Sequence, residues 1–202
     1  MFTGLIQGIG RIESVESLGA RAGVRLTVDA AGVGGFVARV GDSIALNGAC
    51  MTATSAIGAR FKCDVSSESL ARTAGLDAPG DVNIETSLRL GDAIGGHLVA
   101  GHVDGVGTVR AYQPVGESHE LIVLAPKDLA RFLAVKGSIA VDGVSLTVNR
   151  VADLSEGCEL SINVIPHTHA MTTLGQVVAG RRVNLEVDLI ARYVERMLAS
   201  RT

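Results

Sequence analysis

The chain has 202 residues, of which 47% are hydrophobic and only 3% aromatic. This length allows one large domain or two small ones, and the hydrophobic share excludes a disordered chain. The formal net charge of −3 comes without a basic stripe, which argues against a nucleic-acid partner.

The N-terminal residues, MFTGLIQGIG, lack the basic leader of a secretory signal. No segment approaches the roughly 20 apolar residues of a membrane span. The three cysteines, Cys50, Cys63 and Cys158, are widely spaced, which fits reduced thiols and shows no metal-ligand spacing. We therefore expect a cytoplasmic protein without a membrane anchor or a metal.

The chain contains an internal repeat, seen as four pairs of similar segments in the same order. The pairs are GLIQGIGRI and GHVDGVGTV (4–12, 101–109), SIALNGACMT and SIAVDGVSLT (43–52, 138–147), FKCDVSSES and LSINVIPHT (61–69, 160–168), and GDVNIE and GRRVNLE (80–85, 180–186). Chance similarity between β-rich sequences is a poor explanation, because the matched glycines and threonines are not generic strand residues. We predict two homologous halves, 1–95 and 96–187, and a tail, 188–202.

Each half shows short runs of alternating apolar residues that end at turn signals, which predicts an all-β fold. Predicted strands include 24–28, 43–46, 120–124, 138–141 and 183–187. Asn47-Gly48 and Asp142-Gly143 are strong hairpin turns, because such pairs accept positive φ. Each half should form a small barrel or sandwich, with short helices near 66–73 and 166–174.

The tail has a helical pattern, with Asp188 as a possible N-cap. Its apolar residues form one stripe of a helix: Leu189, Ile190, Tyr193, Val194, Met197 and Leu198. The helix could pack on its own barrel or form an oligomer seam. Because it lies outside both repeats, neither barrel needs it for a core, and we favour the seam.

The motifs MFTG, GDSIALNGACMT, GGHLVAGHVDG, GSIAVDGVSLTV, IPHT and VNLEVD, taken in this order, resemble the riboflavin synthase family over essentially the whole chain. The resemblance implies two six-stranded Greek-key β-barrels in tandem and a C-terminal helix that gathers three chains. It also implies an active site between the N-terminal barrel of one subunit and the C-terminal barrel of a neighbour.

The reaction that the resemblance implies combines two molecules of 6,7-dimethyl-8-ribityllumazine, bound antiparallel in each active site. The acidic methyl group at ring position seven of the acceptor loses a proton, and the anion attacks the donor ring. The five-ring adduct then fragments to riboflavin and 5-amino-6-(D-ribitylamino)uracil. We expect no redox cofactor and no metal, and we expect much of the acceleration to come from orientation of the two rings.

Cys50 and Ser145 occupy equivalent repeat positions, which line the sites in the family. Each could add to the donor ring, activate water or bond a ring nitrogen; a buried strand cysteine is the alternative for Cys50. His102 stands where the first half has Leu5, and it suits proton transfer unless it is merely a turn residue. His97 is assigned a structural or supporting role.

Asp188 is a further catalytic candidate, although helix capping competes with that role. Lys136 is expected to place a cation in the ligand pocket unless it is a solvated strand-end lysine. The remaining substrate-binding candidates come from the matched segments: Phe2, Thr3, Gly4, Leu5, Ile6, Ser43, Ala49, Met51, Thr52, Asp64, Val65, Ser66, Ser67, Glu68, Ser69, Gly101, Val103, Leu146, Thr147, Asn163, Val164, Ile165, Pro166, His167 and Thr168.

Two other functions compete with the enzyme. A lumazine- or flavin-binding protein without catalysis keeps the barrels and loses catalytic positions, whereas Cys50, His102, Ser145 and Thr147 are all present here. The flavin barrel of a reductase would need a nucleotide domain with a glycine-rich strand-to-helix turn, for which the chain has no room.

Overall fold

The computed structural model describes residues 1–20 and 22–199. Twelve strands lie in this part of the chain: β1 (Gly8–Ser17), β2 (Val24–Asp29), β3 (Ser43–Leu46), β4 (Ala49–Ile57), β5 (Arg60–Val65), β6 (Gly80–Thr86), β7 (Gly105–Val115), β8 (Ser118–Ala125), β9 (Ser138–Val141), β10 (Val144–Asp153), β11 (Cys158–Val164) and β12 (Arg182–Val187). Three α-helices accompany them: α1 (Ser67–Arg72), α2 (Pro166–Met171) and α3 (Leu189–Ala199). Short 3-10 helices span Lys127–Phe132 and Thr173–Gln176.

The strands close into two antiparallel barrels of six strands each. The first has the order β1-β2-β5-β4-β3-β6, and the second repeats it as β7-β8-β11-β10-β9-β12. β1 and β7 are irregular at matching points, between Ile12 and Ser14 and between Val109 and Ala111. The all-β fold with two tandem six-stranded Greek-key barrels and a C-terminal helix is confirmed. The boundaries at residues 95 and 187 stay a prediction.

Alternating burial along the strands builds a separate apolar core in each barrel. In β2, for example, Leu26 and Val28 are fully buried, and Thr27 between them is partly exposed. This is the period-two pattern that a barrel wall imposes, because successive side chains point to opposite faces. Cys63 and Cys158 are buried in these cores and are not disulfide-bonded.

The two barrels meet where their predicted hairpin turns touch. Gly48 and Gly143 lie so close that a Cβ atom on Gly143 would stand 2.7 Å from the Gly48 nitrogen. Both have positive φ, as do Asn47 and Asp142 before them. Glycine is therefore required twice here, once for the turn conformation and once for the close approach.

Four buried side chains form a reciprocal hydrogen-bond network around this contact. Asn47 Oδ1 accepts from the Asn83 N–H at 2.8 Å, and Asp142 Oδ1 accepts from the Asn184 N–H at 2.7 Å. Each asparagine then crosses the seam: Asn83 Nδ2 donates to the Asp142 carbonyl, and Asn184 Nδ2 to the Asn47 carbonyl. The pattern relates the halves by an approximate two-fold axis and satisfies polar groups that burial would otherwise leave unpaired.

The tail forms a helix, α3, whose first turn is fixed to the second barrel. Asp188 Oδ1 accepts from the Ile190 N–H at 2.8 Å, which is the capping contact that the sequence predicts. Arg192 reaches Asp104 at 2.8 Å. Ile190, Tyr193 and Val194 remain at least half exposed. Residues 200–202 of the predicted tail lie outside the described residues.

Candidate functional site

A pocket of about 390 Å³, here called the first pocket, lies on the first barrel between β4, α1 and the chain that leads into β7. It is lined by Ala49, Cys50, Met51, Glu68, Ser69, Arg72, Thr73, Gly101, His102, Val103 and Asp104. Cys50 alternates with the buried Ala49 and Met51, so its thiol projects outward from the barrel wall into the pocket. The pocket thus contains a potential nucleophile and a histidine in its lining.

A smaller pocket of about 200 Å³, the second pocket, occupies the equivalent place on the second barrel. Its lining residues come from β10, α2 and the chain that leads into β1: Gly4, Leu5, Ile6, Val144, Ser145, His167, Thr168, Met171 and Thr172. Ser145 stands where the first pocket has Cys50. The two pockets are therefore built from matching parts of the repeat.

In each pocket, one wall is formed by residues from the opposite half of the chain. The Ser145 N–H donates to the Gly4 carbonyl at 2.8 Å, and the Cys50 N–H donates to the Gly101 carbonyl at 2.8 Å. Gly4 and Gly101 have φ of 75° and 80°, and a Cβ atom on either would stand 2.6–2.7 Å from the Cβ of Ser145 or Cys50. The leading segments of the halves are thus exchanged, and only glycine permits this contact.

Two buried carboxylates hold the exchanged segments. Glu85 accepts from the backbone N–H groups of Thr3 and Gly4, at 2.7 and 3.0 Å. Glu186 accepts from those of Gly101 and His102, at 2.9 and 3.0 Å. Burial raises the pKa of Glu85, and it raises the pKa of Glu186 to about 7, against the opposing effect of these hydrogen bonds.

His97 lies against Ser145, a contact that the sequence reasoning missed. Its Nδ1 atom is 2.7 Å from the Ser145 hydroxyl oxygen. Burial lowers the pKa of His97, while the charge of Asp188 opposes that shift, so the ring is held towards its neutral form. A neutral imidazole in this position can accept the hydroxyl proton, so this contact is chemically able to transfer a proton.

The chemistry of the two pockets differs where the backbones match. In the first pocket Glu68 and Arg72 form an ion pair at 3.6 Å on α1, and His102 and Cys50 both line the pocket. The corresponding residues of the second pocket include Met171 and Leu5, so that pocket is less polar on two sides. The repeated scaffold thus carries two pockets whose side chains differ in polarity.

Fourteen predicted site residues line one of the two pockets. Eight line the first (Ala49, Cys50, Met51, Glu68, Ser69, Gly101, His102, Val103) and six the second (Gly4, Leu5, Ile6, Ser145, His167, Thr168). Sixteen others lie outside both linings: Phe2, Thr3, Ser43, Thr52, Asp64, Val65, Ser66, Ser67, Lys136, Leu146, Thr147, Asn163, Val164, Ile165, Pro166 and Asp188.

Several residues of this outer group make structural contacts. Phe2 is fully buried and pairs with Val99 through two backbone hydrogen bonds. Asp64 binds Arg25 at 2.7 Å, and Lys136 Nζ donates to the Asn149 side chain at 3.1 Å. A ligand contact for any of the sixteen remains a prediction.

Six lining residues were absent from the prediction: Arg72, Thr73, Asp104, Val144, Met171 and Thr172. Thr73 and Thr172 each follow the last residue of a short helix, and both donate a side-chain hydrogen bond to the carbonyl four residues earlier. Extending the third repeat match by four residues aligns these two threonines. This longer repeat match was the sequence signal that could have identified Thr73 and Thr172 as pocket residues.

None of the helices within residues 1–20 and 22–199 is long and apolar enough to cross a membrane.

Comparison with known proteins gives consistent results along the whole chain. The family model of the lumazine binding domain matches twice, at residues 3–87 and 100–188. The chain is 41% identical over 206 residues to the riboflavin synthase of Mycobacterium bovis, covering 99% of both chains. It is 38% identical over 200 residues to that of Photobacterium phosphoreum, covering 98% of this chain and 89% of the relative.

A solved structure, LumP complexed with riboflavin, superposes with a TM-score of 0.79 at 23% identity. The match covers 93% of this chain and 99% of LumP. LumP complexed with 6,7-dimethyl-8-(1'-D-ribityl) lumazine gives a TM-score of 0.76. At this identity the likeness concerns the fold.

Proposed function

The chain belongs to the riboflavin synthase family of lumazine-binding proteins, and we propose that each of its two pockets binds one molecule of 6,7-dimethyl-8-ribityllumazine. The enzyme transfers a four-carbon unit between two lumazine molecules and forms riboflavin and 5-amino-6-(D-ribitylamino)uracil. The observation that carries the pocket assignment is the pair of equivalent pockets on the repeated barrels. A reaction between two copies of one molecule needs two related binding surfaces.

The side chains at the pockets suit proton transfer and addition to a ring. In the first pocket we assign catalytic roles to Cys50 and His102. In the second pocket Ser145 offers an oxygen whose proton His97 can accept at 2.7 Å. Asp188 then acts through its charge on His97, and it caps α3 at the same time.

The test of this assignment is an activity assay with purified protein and lumazine as the sole substrate. We expect riboflavin to appear, and we expect Cys50→Ala and His102→Gln each to lower kcat at least about tenfold, because proton-transfer groups typically contribute 10²–10⁴-fold. Lumazine binding should change less than about threefold. Thr54→Ala, an exposed change further along β4, is the matched control.

Two outcomes would contradict the assignment. Weaker binding with an unchanged kcat would show that Cys50 and His102 only grip the ligand. A protein that binds lumazine and forms no riboflavin would be a binding protein instead.

We also assign the chain to a homotrimer in which the first pocket of one subunit faces the second pocket of a neighbour, so that each active site holds two lumazines. The exposed apolar side chains of α3 support this assembly. Ile190 is 65% exposed and Tyr193 is 63% exposed, although α3 is anchored by Arg192. Packing such stripes against each other removes apolar surface from water.

Removal of residues from Leu189 onward tests the assembly. We expect sedimentation to show monomers that bind lumazine weakly and make little riboflavin, because neither pocket meets its counterpart. Truncation also removes the Arg192–Asp104 ion pair, so a full-length Ile190→Glu, Tyr193→Glu variant serves as the control that keeps it. A fully active monomer of either kind would contradict both the seam and the intersubunit site.

A cytoplasmic location completes the proposal. It is supported by three free cysteines, of which Cys63 and Cys158 are buried and reduced in the barrel cores.

A further inference from the structure

Three aromatic side chains stack beside α2 on the second barrel. The centroid of the His119 ring on β8 lies 4.2 Å from that of His169 on α2 and 4.9 Å from that of Tyr112 on β7. The rings are parallel within 9°. The Tyr112 hydroxyl and His169 Nδ1 are 2.8 Å apart and hydrogen-bonded. His119 therefore covers a hydrogen-bonded tyrosine–histidine pair, which ties α2 to two strands of the barrel wall.

The first barrel has no such stack at the equivalent positions. The strand register matches His119 with Val24 and Tyr112 with Val15. His169 matches Leu70, because each donates its backbone N–H to the residue four positions earlier, at 3.0 Å. Val15, Val24 and Leu70 pack as ordinary apolar side chains against the first barrel's core.

The two short helices are consequently anchored by different means. α1 is capped by Ser66, whose hydroxyl accepts from the Ser69 N–H at 3.0 Å. α2 follows Ile165, which provides no side-chain cap. Six-residue helices are not stable by themselves, so each needs contacts outside the helix to hold its position. For α2, the stack supplies a contact of this kind that α1 does not use.

The position of α2 determines the shape of the second pocket. His167, Thr168, Met171 and Thr172 line that pocket, and His169 does not. His169 is instead held in the stack with Tyr112 and His119. A shift of α2 would therefore displace several pocket residues together.

We propose that Tyr112, His119 and His169 are positioning residues of the second pocket, which fix α2 and thereby determine how tightly that pocket holds its lumazine. This inference rests on the proposed function for the identity of the ligand, and on the contacts alone for the anchoring of α2. It also makes the two pockets differ in how they are stiffened, because the apolar trio of the first barrel cannot form hydrogen bonds.

Hydrogen exchange in the intact protein tests the anchoring without any ligand. We expect His169→Ala to speed exchange of the α2 amides about tenfold and to leave α1 unchanged. His169→Phe keeps a flat ring in the stack and should stay within about threefold of wild type. The matched control is Leu70→Ala, which should speed exchange in α1 and not in α2. Unchanged α2 exchange in His169→Ala would overturn the proposal, whether or not the protein makes riboflavin.

Steady-state kinetics test the effect on the pocket. We expect His169→Ala to raise KM about tenfold with kcat changed less than about threefold, and His169→Phe to restore most of the KM. A merely structural role would reduce the amount of folded enzyme and leave KM unchanged, and that result would overturn the proposal. Should His169→Ala not fold, His119→Ala removes the ring that stacks on His169 and carries the same test. Absence of riboflavin in the wild type would instead count against the proposed function.

Discussion

The two barrels share a backbone and differ in the chemistry of their pockets. Equivalent strands, bulges and exchanged segments recur in the same order, whereas Cys50 becomes Ser145 and His102 becomes Leu5. The matched glycines and carboxylates that build the walls are the same in both halves. Several of the residues that line the pockets differ between the halves. The repeat therefore preserves the backbone of the pocket and varies part of its lining.

The seam between the barrels shows the same division on a smaller scale. Asn47 and Asp142 occupy equivalent turns and accept the same backbone hydrogen bond. Asp142 also has a cation near it, since the Arg181 guanidinium lies 3.6 Å away. Burial raises the pKa of Asp142 to about 6. The two turns therefore differ: the second barrel has a buried acid with an arginine nearby, and the first barrel has a neutral asparagine at the same position.

The largest effect on stability is expected from a methyl group added where the two hairpin turns touch. We expect Gly143→Ala to lower the free energy of unfolding by more than about 4 kcal/mol, because its Cβ atom would meet the Gly48 backbone at 2.7 Å. Gly116→Ala, also at positive φ but with open space around it, should cost only about 1 kcal/mol. Urea denaturation of both variants measures the difference. Equal losses would mean that turn strain, not the contact between barrels, determines the effect.

Exchanging the turn residues sharpens the comparison of Asn47 with Asp142. We expect Asn47→Asp to cost about 3 kcal/mol, because it buries a carboxylate in the turn of the first barrel. The strand register places Gly80 where the second barrel has Arg181, so the arginine that lies near Asp142 has no counterpart at this position. Asp142→Asn keeps the acceptor for Asn184 and removes a buried charge, so it should change stability by less than about 1 kcal/mol. Thermal unfolding near pH 7 compares the two; similar costs would show that Arg181 is irrelevant.

The pH dependence of the free energy of unfolding gives the test with the smallest expected effect. Because the folded pKa of Glu186 is raised to about 7, the folded state binds this proton more tightly than the unfolded chain does. Its stabilising contribution is complete below about pH 4 and is lost as the pH rises through 7. We expect this group to lower the free energy of unfolding by about 2 kcal/mol between pH 5 and pH 7.

The variant Glu186→Gln isolates that contribution, because it removes the titrating group. Its unfolding free energy should depend less steeply on pH over this range than that of wild type. Asp142 contributes with the same sign in an overlapping range, so the difference between the two proteins is the quantity to measure. Parallel curves would refute a raised pKa at Glu186.

The fold was predictable because its determinants are local and repeated. Alternating apolar residues mark the strands, and Asn47-Gly48 and Asp142-Gly143 mark hairpins that appear with the expected positive φ. α1 and α2 lie within the segments predicted to be helical. The pocket walls were predictable in part, since the repeat places Cys50 and Ser145 in equivalent strands.

The exchange of the leading segments was not predictable from these patterns. That Gly4 lies on Ser145 and Gly101 on Cys50 depends on how the barrels pack, and no periodicity records that arrangement. His97 was missed as a partner of Ser145 for the same reason, because the two residues are 48 positions apart and the first half has no equivalent pair. Pairing across a domain seam requires coordinates.

Because the leading segments are exchanged, the chain between β6 and β7 acts as a tether that holds the two halves together. Each half completes the other's pocket, so pocket assembly is an association reaction between two partners that are covalently tethered. A short tether holds such partners at an effective concentration in the millimolar range, whatever the concentration of the protein itself. The two pockets of one chain therefore stay assembled at any dilution, whereas the proposed trimer dissociates when the protein concentration falls far enough.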